Sequence, residues 1–269
     1  MNRDRDAGLI GNRLHLESVP IDSSFSSLLE AKGMVPTWDL TSAAHELMIP
    51  EATTVLAMRT ADGVVMAGDR RATAGNIIAH KRVQKVFPAD GYSAVAISGT
   101  AGMAMELIKL FRTELEHYEK IEGTRLSLEG KANYLARMVR GNLAMAFQGL
   151  VVVPLFCGFD ESEKEGKLYT FDVVGGRYEE QTYATTGSGG GEAKSFLKGV
   201  YEDNLSTTDA VKIAVEALVA AAEEDAATGG PDLKRGIYPN VVIVDENGYA
   251  EIDEAQIATV ASDVLEGRP

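Results

Sequence analysis

The chain has 269 residues, 45% of them hydrophobic, which is enough for one sizeable core. A formal net charge of −14 argues against a nucleic-acid partner. The single cysteine, Cys157, excludes an intrachain disulfide framework and suits a reducing compartment. No apolar run approaches the ~20 residues of a membrane span, and the first twenty residues lack the apolar stretch of a secretory signal, so a soluble cytoplasmic protein is expected.

Residues 1–52 differ in composition from the rest of the chain. They carry paired serines (Ser23-Ser24, Ser26-Ser27), prolines at 20, 36 and 50, four Lys/Arg against eight Asp/Glu, and no sustained periodicity. Scattered apolar residues such as Leu28, Trp38, Leu47 and Ile49 suggest parts that dock on a surface, and we read the segment as a pro-segment ending at Ala52, with a disordered tail as the plainer alternative. The catalytic part then spans 53–269.

From Thr53 to Gly99 the pattern is that of β-structure. Val55, Ala57 and Val64–Ala67 read as strands, with Ala61-Asp62-Gly63 as a hairpin turn. Asp69, Arg70 and Arg71 follow the second strand, and Lys85 comes later. These residues suit nucleophilic chemistry at Thr53. A threonine hydroxyl needs a base within hydrogen-bond reach. Cutting the Ala52–Thr53 bond would supply one, because a free α-amine has a pKa of roughly 7.7–8.0. A nearby Lys85 ammonium favours the neutral, proton-accepting amine, and Asp69 is expected to hold Lys85 charged and oriented. The same hydroxyl can attack the Ala52 carbonyl first, which would make the cleavage self-catalysed.

Residues 92–99 (YSAVAISG) predict another buried strand, with Gly99 opening the turn into a helix over 100–118. A second long helix is expected over 126–149, through Leu128, Leu135, Leu143 and Phe147. Strands come next near 151–158, 167–173 and 178–185, and Cys157 falls in the apolar run of the first, as a core residue. The stretch TTGSGGGEAKS (185–195) is not a phosphate loop, since Glu192 and Ala193 stand between its glycines and Lys194. Helices are expected over 190–203 and 207–225, the latter with Thr207/Thr208 as its N-cap region. Strands at 240–245 and 248–252 and a short helix from 253 close the chain. The pattern alone gives an α+β, layered protein. No metal or cofactor is expected.

The stretch TTVLAMRTADGVVMAGDRRAT, with a lysine and VF downstream, resembles the start of a mature proteasome β-subunit of the actinobacterial 20S type, an N-terminal-nucleophile (Ntn) threonine peptidase. Asp69, Arg71 and Lys85 lie 16, 18 and 32 residues after Thr53, which fits that family. The likeness runs from Thr53 to the C-terminus. It implies a four-layer αββα sandwich of two stacked antiparallel sheets flanked by helix pairs. It implies catalytic roles for Thr53, Asp69, Lys85, Ser188, Asp225 and Thr228, an oxyanion-hole N–H at Gly99, and a supporting Arg71. The family places Gly before the nucleophile, whereas Ala52 stands here, and its Cβ predicts slower self-cleavage.

Carried over without gaps, the family register lines the pocket for the residue before the cut with Ala72, Val83, Phe87, Ile97, Ala101 and Met105. All are apolar, which predicts a preference for hydrophobic residues. The resemblance further implies seven-fold β-rings, proteasome α-subunits as partners, a regulatory ATPase acting through the α-ring, and unfolded protein substrates. The alternative is a non-catalytic or unprocessed structural ring subunit. A further rival is a sister threonine peptidase of two-ring type with a shorter chain; the Arg70-Arg71 pair, the TGGPD segment and the long pro-segment favour the proteasome type.

Overall fold

The computed structural model describes residues 53–74 and 77–267. The pro-segment and Ala52 lie outside them. Strand β1 (Thr54–Arg59) turns into β2 (Gly63–Gly68), paired antiparallel with Val55 opposite Gly68. A small hairpin of β3 (Ala72–Ala74) and β4 (Ile77–His80) comes after it. Next are β5 (Val86–Asp90), β6 (Ser93–Gly99), α1 (Ala101–Glu122), α2 (Leu128–Gly141) and the short α3 (Leu143–Ala146). The second half runs through β7 (Val152–Asp160), β8 (Glu165–Phe171), β9 (Arg177–Glu180), β10 (Tyr183–Gly187), α4 (Gly190–Val200) and α5 (Thr207–Glu224). It ends with β11 (Asn240–Asp245), β12 (Gly248–Glu251) and α6 (Glu254–Glu266).

Two five-stranded antiparallel sheets result, ordered β10-β1-β2-β11-β12 and β5-β6-β7-β8-β9. Side chains alternate across a strand, and here both faces are buried. Val55, Ala57, Val64 and Met66 face the second sheet, meeting Ala96, Leu155, Cys157 and Leu168. Their neighbours Leu56, Met58, Val65 and Ala67 pack outward against Leu197 of α4, Leu218 of α5 and Ile257 of α6. On the far side, Val95, Ile97 and Phe156 meet Phe111 of α1 and Leu135 of α2, with Phe111 edge-on to Phe156 at 5.8 Å. The predicted four-layer αββα sandwich is what forms, and α6 joins α4 and α5 on one face. Cys157 is fully buried and desolvation pushes its thiol far above the ordinary value, which makes it core packing.

Three expectations change. The helix expected over 126–149 stops at Gly141, because Asn142 turns its side-chain amide back to the Met138 carbonyl at 3.3 Å; only the short α3 lies beyond it. The strand expected over 178–185 is two strands in different sheets, β9 and β10. The Thr182 carbonyl between them accepts the Arg59 N–H at 2.8 Å, pulling the chain onto β1. The N-cap of α5 is Ser206, whose hydroxyl accepts the Asp209 N–H at 3.1 Å, and not Thr207 or Thr208. The β3–β4 hairpin was not foreseen.

Candidate active site

Thr53 immediately precedes β1, an inner strand of the first sheet, and is 8% exposed. The chain there is pinned from two sides. From one side, the Ser188 N–H donates to the Thr53 carbonyl at 3.0 Å. From the other, the Thr54 N–H donates to Asp69 Oδ1 at 2.9 Å. Gly187 makes the close approach possible: its φ is +102°, and a Cβ would stand 1.6 Å from the Thr53 oxygen.

Asp69, fully buried after β2, gathers four donors. Oδ1 takes the Thr54 N–H and the Lys85 ammonium, while Oδ2 takes the N–H groups of Arg71 and Gly229, each at 2.9 Å. The Asp69–Lys85 ion pair is nearly dry, with both side chains almost inaccessible. Burial lowers the Lys85 ammonium below its ordinary value; the charge and hydrogen bond of Asp69 and the charge of Asp225 oppose this, and Arg71 adds to it. Asp69 and Lys85 thus meet as a buried ion pair, with Asp69 the largest influence opposing the desolvation of the ammonium. Arg71 also donates from Nη1 to the Ala226 carbonyl at 2.8 Å, tying the exit of β2 to the turn after α5.

That turn carries the second half of the site. Asp225 Oδ2 accepts the hydroxyls of Ser188 and Thr228, each at 2.6 Å. Burial alone would raise the Asp225 carboxyl, but these hydroxyls and the N–H groups of Ala227 and Thr228 outweigh it and hold the group below the carboxylate range. Thr228 Oγ1 lies 2.6 Å from Thr54 Oγ1, which also accepts the Gly189 N–H at 3.0 Å. Thr53, Asp69, Lys85, Ser188, Asp225 and Thr228 therefore meet around one peptide group. Thr54, Gly189 and Gly229 were missed. Only Thr54 left a signal, as the second hydroxyl of the Thr53-Thr54 pair; the other two contribute through backbone N–H groups, which no side chain announces.

Gly99 ends β6 with φ +108°, and a Cβ would meet the Val151 oxygen at 2.1 Å. The Ser98 hydroxyl bonds that of Thr186 at 2.8 Å, tying this end of the second sheet to β10 of the first, two residues from Ser188. Of the expected pocket residues, Ile97 and Phe87 lie on the neighbouring strands β6 and β5, in the cluster under α1. Ala101 and Met105 are half-buried and one turn apart on α1. Ala72 is buried in β3, and Val83 donates its N–H to the Arg70 carbonyl at 3.0 Å. Val83 also lines a cavity with His80, Lys81, Arg82, Arg235 and Ile237, which holds none of the other five. Among the described residues no cluster of His, Cys, Asp or Glu could hold a metal ion, and no helix is long and apolar enough to cross a membrane.

Two stacked antiparallel sheets between helical layers, with a threonine at the head of an inner strand, define the Ntn-hydrolase architecture. Residues 49–232 match the family model described as Proteasome subunit. A protein named Proteasome subunit beta from Acidimicrobium ferrooxidans is 55% identical over 213 residues, 79% of this chain and 78% of that protein. One of the same name from Streptomyces griseus is 51% identical over 219 residues, 81% of this chain and 78% of that protein. The chain belongs to the proteasome family, as a β-subunit of the bacterial type.

Proposed function

We propose that the chain is a threonine endopeptidase subunit of a 20S proteasome core. Residues 1–52 are the pro-segment, removed by cleavage at Ala52–Thr53. The observation that carries this reading is the pinning of the Thr53–Thr54 peptide group between the Asp69–Lys85 pair and the Ser188–Asp225–Thr228 network.

The freed α-amine takes the Thr53 hydroxyl proton as Oγ bonds to the scissile carbonyl carbon. The charge that develops on the carbonyl oxygen is met by the Gly99 N–H. As the C–N bond breaks, the ammonium returns its proton to the leaving amine and an ester to Thr53 is left. Water, deprotonated by the same amine, attacks the ester; the acid leaves and the Thr53 hydroxyl is restored. Lys85 keeps the amine neutral by like-charge repulsion. Ala72, Val83, Phe87, Ile97, Ala101 and Met105 form the apolar pocket for the residue before the cut.

The subunit works in seven-fold β-rings with α-subunits, fed with unfolded protein by an ATPase acting through the α-ring, in the cytoplasm. Intact mass and peptide turnover after co-expression with the cognate α-subunit test the reading. Wild type loses residues 1–52 and becomes active, whereas Thr53→Ala stays full-length and inactive. Assembled wild-type rings that stay full-length and inactive would favour a structural ring subunit, with Ala52 as the cause.

A further inference from the structure

We propose that Thr54 is a positioning residue of this site: its buried hydroxyl anchors Thr228 and the turn that carries Ser188, and so holds the Ser188 oxygen where it can accept from the nucleophile's amine. The inference rests on the threonine-peptidase reading.

Thr54 is fully buried at the first position of β1. Valine has the same shape and a high strand propensity, and would fill that position without a polar atom. A buried hydroxyl is costly unless it is bonded, and this one is bonded twice, to the Gly189 N–H and to Thr228 Oγ1. The direction comes from counting protons. Each hydroxyl has one hydrogen, and an ionised carboxylate only accepts. Asp225 Oδ2 faces both Thr228 and Ser188, so each of those hydroxyls donates to it. Thr228 then has no hydrogen left for Thr54, and Thr54 must donate. The chain runs one way, from Gly189 N–H through Thr54 and Thr228 to Asp225.

The consequence reaches the exposed side of the network. With its hydrogen held by Asp225, Ser188 presents only lone pairs to a donor at Thr53. Its own N–H holds the Thr53 carbonyl, which keeps the Ser188 backbone against the nucleophile's residue. Without the Thr54 hydroxyl, Thr228 Oγ1 loses its donor and the Gly189 N–H its acceptor. Thr228 and the Gly187–Gly190 turn are then free to shift, and the Ser188 oxygen loses its aim. Thr54 is also the residue whose backbone reaches Asp69 while its side chain reaches Thr228, so it couples the two halves of the site.

The test uses particles assembled from the full chain and its cognate α-subunit, with Thr54→Val, Thr54→Ser and Thr53→Ala assayed on one hydrophobic fluorogenic peptide. A positioning role predicts that Thr54→Val lowers kcat about tenfold or more with KM within about twofold of wild type, whereas Thr54→Ser stays within about threefold. Wild-type kcat in Thr54→Val, or an equal loss in Thr54→Ser, would overturn the inference, since the methyl or nothing would then be what counts. If Thr54→Val does not assemble, Thr54→Cys replaces it: a thiol is a weak donor, so kcat must fall, and wild-type kcat overturns the inference. An active wild type with an unaffected Thr54→Val sinks the role of Thr54 alone. An inactive wild type, or an active Thr53→Ala, sinks the peptidase reading and this role with it.

Discussion

Thr54 and Asp69 exchange two hydrogen bonds where β1 and β2 meet: the Thr54 N–H donates to Asp69 Oδ1 at 2.9 Å, and the Asp69 N–H to the Thr54 carbonyl at 3.1 Å. Asp69 thereby fixes the residue after Thr53 as well as Lys85. Asp69→Asn turns one acceptor oxygen into a donor and leaves Lys85 buried without its counter-charge. Breaking a buried pair costs about 3–5 kcal/mol, which for a domain of this size lowers the thermal midpoint by roughly 10 °C. Thermal unfolding of assembled particles reads this directly. A shift under about 2 °C would mean that the pair does not hold the site.

Gly99→Ala joins an unfavourable φ to a clash with the Val151 oxygen. The backbone at the start of α1 must move, and the Gly99 N–H moves with it. Loss of one oxyanion donor costs about 10²–10³ in kcat, so turnover falls on that scale with a smaller change in KM. Near-wild-type kcat in an assembled Gly99→Ala particle would remove Gly99 from the mechanism.

Asp225 sets an acid limit. Its folded carboxyl lies below the ordinary value of 3.8, so its contribution to stability is complete above that value and is lost as pH falls through the folded pKa. Ser188→Ala removes one of the bonds that lower it and moves the carboxyl up, so acid unfolding begins at higher pH than in wild type. Ser188 is exposed, which limits the loss at neutral pH to about 0.5–1 kcal/mol. Circular dichroism followed from pH 7 downward measures both, and coincident acid transitions would contradict the assignment.

The apolar lining proposed for the substrate pocket predicts faster cleavage after Tyr or Leu than after Arg or Glu. One missing or mismatched apolar group is worth about 1–3 kcal/mol, or 10–200-fold in kcat/KM. Fluorogenic peptides differing only at that position decide it. Equal or better turnover after Arg or Glu would show that the pocket is built from other residues.

The sequence by itself determined most strands and helices and singled out Thr53 as the candidate nucleophile, because these rest on local order. The hairpin turn at Asp62-Gly63, the helical spacing of Leu107, Phe111 and Leu115, and the intervals from Thr53 to Asp69 and Lys85 are all short-range patterns. Cys157 was legible as core from its apolar neighbours. Only the tertiary structure decided which strands share a sheet. The run from Arg177 to Gly187 changes sheets at Thr182, and since β1 and β2 are buried on both faces, no polar alternation marks which face meets which layer. It also decided which partners Thr54, Gly189 and Gly229 bond. Their bonds join residues far apart in the chain, two of the three act through the backbone, and a backbone N–H carries no mark in the sequence of where it will point.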